Sequence, residues 1–147
     1  MISLEAAQSL LLSMATPMPL EHVALVEAHG RWLGAPLVAR RSQPWADLSS
    51  MDGYALAPGI GPWHISRPIP AQSRDAGTLL AGQAARIFTG APLPKGADRI
   101  LVQEDAVISG TALSAKTLPQ IGEHIRRAAS DFAQGEILAS KGTRVST

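Results

Sequence analysis

Three short segments hold the residues best equipped for chemistry. The first is Ser49-Ser50-Met51-Asp52-Gly53-Tyr54-Ala55. Asp-Gly is a common turn signal, so a plain turn leading into a strand accounts for it. The same residues also suit a carboxylate held at a loop edge. Asp52 can bind Mg²⁺ directly or through water beside a phosphate ligand, and Gly53 permits close backbone approach. The second segment runs from Arg86 through Thr89-Gly90-Ala91-Pro92-Leu93-Pro94 to Asp98. It is either a well-made loop between strands or an oxyanion site. In the second case the Thr89 hydroxyl and the backbone N–H groups around Gly90 would be the donors. It is not a Walker A loop, because Lys95 precedes Gly96. The third segment is His124-Ile125-Arg126-Arg127-Ala128-Ala129-Ser130-Asp131. Adjacent arginines make an ordinary solvated pair. If they face a cleft, Arg126 can hold a phosphate with its planar fork, and Asp131 can orient that arginine or join a metal shell.

Several chemistries are excluded. There is no cysteine, which removes disulfides, thiolate zinc sites and a cysteine nucleophile together. His22, His29, His64 and His124 show no paired ligand spacing. No serine–histidine–carboxylate order stands out. Thirteen basic residues against twelve acidic ones leave a net charge of +1, which gives no case for a nucleic-acid or membrane partner. The N-terminus has no basic residue before its apolar stretch, and no run is long enough for a membrane span, so a cytoplasmic protein is expected.

The elements that must position these residues follow from local signals. Ser3 can cap a helix starting near Leu4, with Glu5 in the favourable first turn. Leu4, Ala7, Leu11 and Met14 share one helical face. Thr16-Pro17-Met18-Pro19 ends that helix. A short strand over 22–26 and a short helix over 27–33 follow. Beyond Leu37 the apolar runs become short and Gly/Pro-punctuated. Strands are expected over 54–57, 63–67, 84–88, 99–103, 106–108, 112–115 and 137–139, with Ser109-Gly110 as a hairpin turn. A last short strand is expected over 143–145. With 46% hydrophobic but only 4% aromatic residues, the core should rest on Leu, Ile, Val and Ala. The fold class is α+β and β-rich.

The segments occur together, in order, with other landmarks. Ala28-His29-Gly30-Arg31-Trp32-Leu33 resembles an A-x-G-R-x-L pattern. The Met51–Ala55 stretch resembles M-D-G-Y-A, and Arg86–Asp98 resembles R-I-M-T-G-A-P-L-P-x-G-A-D. Ile125-Arg126-Arg127 with Asp131 resembles I-R-x-x-G-E-D, and Lys141-Gly142-Thr143 resembles x-G-T. Over nearly its whole length the chain therefore resembles the N-terminal region of the molybdopterin molybdenumtransferase family (MoeA and the gephyrin E domain). Ser50 stands where that pattern has Ala. Ala128-Ala129-Ser130 stands where it has a polar residue, Gly and Glu.

The resemblance implies two intertwined β-rich units with an N-terminal helix. The first would comprise residues 1–38 with 136–147, and the second, inserted, residues 39–135. It implies a role in molybdenum cofactor biosynthesis: inserting molybdate-derived molybdenum into adenylylated molybdopterin, with Mg²⁺ present. Asp52 and Thr89 would be the catalytic residues, with Asp52 also a possible Mg²⁺ ligand. Gly53, Gly90, Arg126 and Asp131 would bind substrate or phosphate. The pterin is expected on an α/β domain that has no counterpart in these 147 residues. Neither molybdopterin nor Mg²⁺ is then expected to bind tightly to this chain alone, which is expected to be inactive without that domain. A homodimer, or association with the α/β domain, is expected. The alternative is a stand-alone, non-catalytic binding or dimerisation module that kept the fold.

Overall fold

The computed structural model describes residues 2–16 and 18–146. The chain divides into two compact units, residues 1–37 with 139–147, and residues 38–138. Among the described residues it is mostly strands with one α-helix, the expected fold class.

The first unit carries helix α1 (Leu4–Met14). The Ser3 hydroxyl accepts the Ala6 N–H at 3.2 Å, so the expected cap is in place. Pro17 of the helix-ending signal lies outside the described residues. Residues 22–24 are not a strand, and only Leu25–Glu27 is helical, as one 3₁₀ turn. Both expectations for 22–33 are corrected here. Gly30 takes a positive φ of 79° and ends helical geometry, turning the chain into an extended pairing. The Gly30 N–H donates to Val145 O, and Leu33 N–H to Thr143 O. The expected strand over 143–145 is thus reduced to a single bridge, Trp32 to Arg144. Among the described residues this unit fully buries no side chain. Leu4, Leu11 and Met14, the apolar stripe of α1, are each about 70% exposed.

The second unit is built on a six-stranded sheet. Strand β1 (Leu37–Val38), which leads into this unit, pairs with β10 (Ile137–Ala139), which leads out of it, and β2 (Leu48–Ser49) pairs with β9 (Ile125–Arg126). The six-stranded sheet contains β3 (Gly53–Leu56), β4 (Trp63–Ile65), β5 (Gln83–Ile87), β6 (Arg99–Val102), β7 (Ala106–Ser109) and β8 (Ala112–Ala115). Its order is β6-β3-β5-β4-β8-β7, antiparallel except for β4 beside β5. Ser109 pairs with Ala112, and Gly110 takes φ 59°, giving the expected hairpin.

Both faces of β3 and β5 are covered, so their side chains alternate between two cores rather than between core and water. Tyr54, Leu56, Ala84 and Leu101 pack with Trp63 and Leu113 on one face. Ala55, Ala85, Ile87 and Ile100 pack with Ile69 and Leu79 on the other. The core rests mainly on Ala, Ile and Leu, as composition requires, but among the described residues no valine is buried in it. Trp63, 1% exposed, is its largest, with the indole N–H donated to Ala57 O at 2.9 Å.

Candidate functional site

Sheet register decides what can meet at the site. β3 starts at Gly53, which faces Ile87, the last residue of β5, on one side and Val102, the last of β6, on the other. Because β3 is antiparallel to both, the residues just before it and just after them leave the sheet at one end. Those residues are Asp52, Phe88-Thr89 and Gln103.

Gly53 is fixed by space. A Cβ there would fall 2.0 Å from Leu101 O in the neighbouring strand. Gly90 is fixed by conformation, with φ 80° and nothing within 4 Å of a Cβ. The turn it makes sends the Ala91 N–H to Phe88 O, and the loop then runs beside β2. Gly90 N–H donates to Ser49 O, Ser49 N–H to Ala91 O, and Leu93 N–H to Asp47 O, each within 2.8–2.9 Å. The buried Ser49 hydroxyl in turn binds Met51 O at 2.5 Å and shapes the turn into Asp52.

This framework brings Asp52 and Thr89 together, 37 residues apart in sequence. Oδ1 of Asp52 accepts both the Thr89 N–H and the Thr89 hydroxyl, each at 2.8 Å. These bonds hold the Asp52 carboxyl below the usual aspartate range, the backbone N–H first and the hydroxyl next, with a smaller contribution from the Arg86 charge. Asp52 is exposed, and among the described residues its Oδ2 accepts no hydrogen bond.

The donors of this loop that the structure resolves are engaged within the protein. Both Thr89 donors end on Asp52, the Gly90 N–H on Ser49, and the Ala91 N–H on Phe88. These four donors are therefore directed at protein oxygens rather than at the space beside the loop. What it presents is negative: an ionised carboxylate with a free oxygen, and the lone pairs of the Thr89 hydroxyl.

Arg126 and Asp131 form a separate pair. Arg126 NH2 donates to Asp131 Oδ1 at 2.8 Å and to Oδ2 at 2.6 Å. Nε and NH1 of Arg126 make no hydrogen bond among the described residues, and its side chain is 50% exposed. These are open donors for an anion. No hydrogen bond joins this pair to Asp52–Thr89 among the described residues. The link runs through backbone, with Leu48 of β2 opposite Arg126 and Ser49 opposite Ile125.

Three residues with no assigned role in the sequence shape the site. Arg86 bonds Gly53 O and the Gln103 side chain. Asp47 accepts the Ala128 N–H and the Arg127 guanidinium, each at 2.7 Å. Burial pushes the Asp47 carboxyl up, but these donors outweigh it and the net shift is downward. Asp47 thereby anchors the turn between Arg126 and Asp131, with Arg127 braced against it. Ala129 in that turn has φ 60°, a left-handed conformation where the related pattern carries glycine. A shallow cleft of about 360 Å³ lies elsewhere, lined by Trp45, Ala71, Gln72, Ser73 and Arg74, and shares no residue with either pair.

A model of the family described as the MoeA N-terminal region (domain I and II) matches residues 2–147. The chain belongs to this family. It is 36% identical, over 98% of its length, to a molybdopterin molybdenumtransferase of Synechococcus elongatus. It is 37% identical, over 82% of its length, to molybdopterin molybdenumtransferase 2 of Mycobacterium tuberculosis. The chain spans only 39% and 32% of those two proteins. Among solved structures, a molybdopterin biosynthesis MoeA protein of Pyrococcus horikoshii superposes with TM-score 0.82 at 25% identity. That match covers 99% of this chain and 39% of the other. The MoeA N-terminal fold therefore extends over nearly all of the described residues. No helix among the described residues is long and apolar enough to cross a membrane.

Proposed function

We propose that this chain serves molybdenum cofactor biosynthesis as the N-terminal part of a molybdopterin molybdenumtransferase acting in the cytoplasm. It helps insert molybdate-derived molybdenum into adenylylated molybdopterin, at a site completed by an α/β domain. The observation that carries this reading is the Asp52–Thr89 pair. Two family-matching segments, distant in sequence, converge to hold one exposed carboxylate ionised with an oxygen unspent.

The residues fit Mg²⁺ in one particular way. Among the described residues no three His, Asp or Glu side chains cluster, so a dedicated all-protein cage is absent. A single free carboxylate oxygen suits an ion that keeps several waters and is shared with substrate phosphates. Asp52 would hold such an ion, with Thr89 fixing the carboxylate and lending its hydroxyl lone pairs. When bound, the ion would draw charge from a phosphoryl oxygen. Arg126, oriented by Asp131, offers Nε and NH1 to phosphate or molybdate oxygens. Gly53 and Gly90 act through backbone shape. The chain's own contribution is positional and electrostatic.

The exposed apolar stripe of α1 supports association, with a second copy or with the α/β domain. The same surface favours a second reading, a stand-alone dimerisation module that kept the fold without the reaction. Molybdenum insertion, measured with this chain alone and with a separately supplied α/β domain, separates the two. Activity only in the mixture supports the transferase reading. A folded, associated but inactive mixture supports the module. In an active mixture, Asp52→Asn at the wild-type rate would remove the role assigned to Asp52.

A further inference from the structure

Arg86 is one residue from the end of β5, half-buried, and opposite Tyr54 in the register. Its guanidinium lies over the Tyr54 ring at 5.2 Å and the Phe88 ring at 4.9 Å. NH1 donates to Gly53 O at 3.2 Å, and NH2 to the Gln103 side-chain oxygen at 2.7 Å. The Gln103 N–H, in turn, donates to the backbone oxygen of Asp52 at 3.1 Å. One planar cation therefore touches each of the three chain segments that leave the sheet beside Asp52 and Thr89.

From this geometry we infer that Arg86 is the positioning residue of the Asp52–Thr89 pair, fixing through its stacked fork the three backbone exits that bring the two together. The functional meaning of this inference rests on the role proposed above for that pair. Among the described residues Arg86 makes no hydrogen bond to Asp52. It holds Gly53, Phe88 and Gln103, each adjacent to Asp52 or Thr89 or hydrogen-bonded to it. A lysine cannot do the same work. Its compact ammonium cannot reach two divergent acceptors while lying flat between two rings.

The experiment is ¹H–¹⁵N correlation spectroscopy of the full chain at pH 7, comparing wild type with Arg86→Lys and Arg86→Gln. The Thr89 amide donates to a carboxylate, so its proton resonance and exchange rate report the pair directly. Both variants are expected to move that resonance upfield and to speed its exchange roughly tenfold, the fold-change for losing one charge-assisted bond. The amides of Ala55, Ala85 and Ile100, in the sheet core, should stay in place. An unchanged Thr89 amide in both variants overturns the inference. Recovery of the wild-type resonance by Arg86→Lys also overturns it, since charge alone would then suffice. If both variants lose the sheet, Gln103→Leu removes one acceptor of the fork without altering a sheet strand. It must shift the Thr89 amide in the same direction, and no shift there overturns the inference. None of these readouts requires activity. If Asp52→Asn leaves metal transfer intact while Arg86→Gln displaces Thr89, the functional reading fails and the positioning role stands.

Discussion

Both hydrogen-bond donors of Thr89 end on the same oxygen of Asp52, each at 2.8 Å. One oxygen of the carboxylate is thus saturated while the other stays free. The two bonds favour the charged form, which is why the Asp52 carboxyl lies below its ordinary range. A carboxyl depressed in the folded state contributes stability above its unfolded pKa, and that contribution fades as pH falls through the folded value. Asp52 is therefore fully ionised at neutral pH. Thr89→Ala removes the hydroxyl donor and keeps the N–H, so the Asp52 titration midpoint should rise toward the ordinary aspartate value. Thr89→Ser keeps both donors and should titrate like wild type. Carboxyl ¹³C shifts followed against pH measure both. A midpoint unmoved in Thr89→Ala would show that the hydroxyl does not hold the carboxylate.

The turn that orients Arg126 contains an alanine where its backbone favours glycine. Ala129 has φ 60°, in the left-handed region that costs an L-residue with a Cβ roughly 1–2 kcal/mol. Its N–H is bound to Pro44 O and Asp131 N–H to Gln43 O, which holds the turn in this conformation. Ala129→Gly relieves the strain but adds freedom to the unfolded chain. The expected net gain is about 1 kcal/mol, measured as a raised urea midpoint at unchanged slope. A lower midpoint would mean that the conformation is not strained.

How much of this was legible in the sequence depended on element length. Helix α1 carries a capping serine and several turns of 3.6-residue spacing, and its start follows from them. Strands β3, β5 and β6 are four or five residues long and bury apolar side chains on both faces, so their apolar runs reveal them. Strands β1, β2 and β9 have two residues each, too few to show any period, and none was expected. The segment over 22–33 misleads for a related reason. Its apolar residues suggest regular structure, but Leu25 and Val26 are nearly 90% exposed and impose no periodicity. At the site, Asp52 and Thr89 stand out as residue types in distinctive loops. That both Thr89 donors would turn inward to the carboxylate does not, because it follows from strand register. Asp47 and Arg127, 80 residues apart, carry no local signal of their pairing.

Gly53 and Gly90 flank the same site for different physical reasons, and substitution separates them. In Gly53→Ala the new Cβ would meet Leu101 O of the neighbouring strand at 2.0 Å. Backbone cannot yield as a flexible side chain can, so the loss is expected to be about 3 kcal/mol or more. In Gly90→Ala the space is open and only the φ of 80° resists. The expected cost there is about 1–2 kcal/mol. Urea unfolding of the two variants should keep this order. Equal losses would mean that the two sites are constrained alike.

Asp47 anchors the third segment, and its removal should be felt at a distance. It accepts the Ala128 N–H and the Arg127 guanidinium, and its own carbonyl receives the Leu93 N–H from the Thr89 loop. Asp47→Ala leaves the carbonyl but removes both side-chain bonds. Arg127 is 58% exposed, so water screens most of that ion pair and the backbone bond dominates. The expected loss is about 1–2 kcal/mol at pH 7. Because the Asp47 carboxyl is depressed in the folded state, wild type should lose this same contribution as pH falls below about 4. The stability difference between wild type and Asp47→Ala should therefore shrink on acidification and persist from pH 5 to 8. A difference independent of pH through the acid range would mean that the charge of Asp47 does not matter and that packing accounts for the loss.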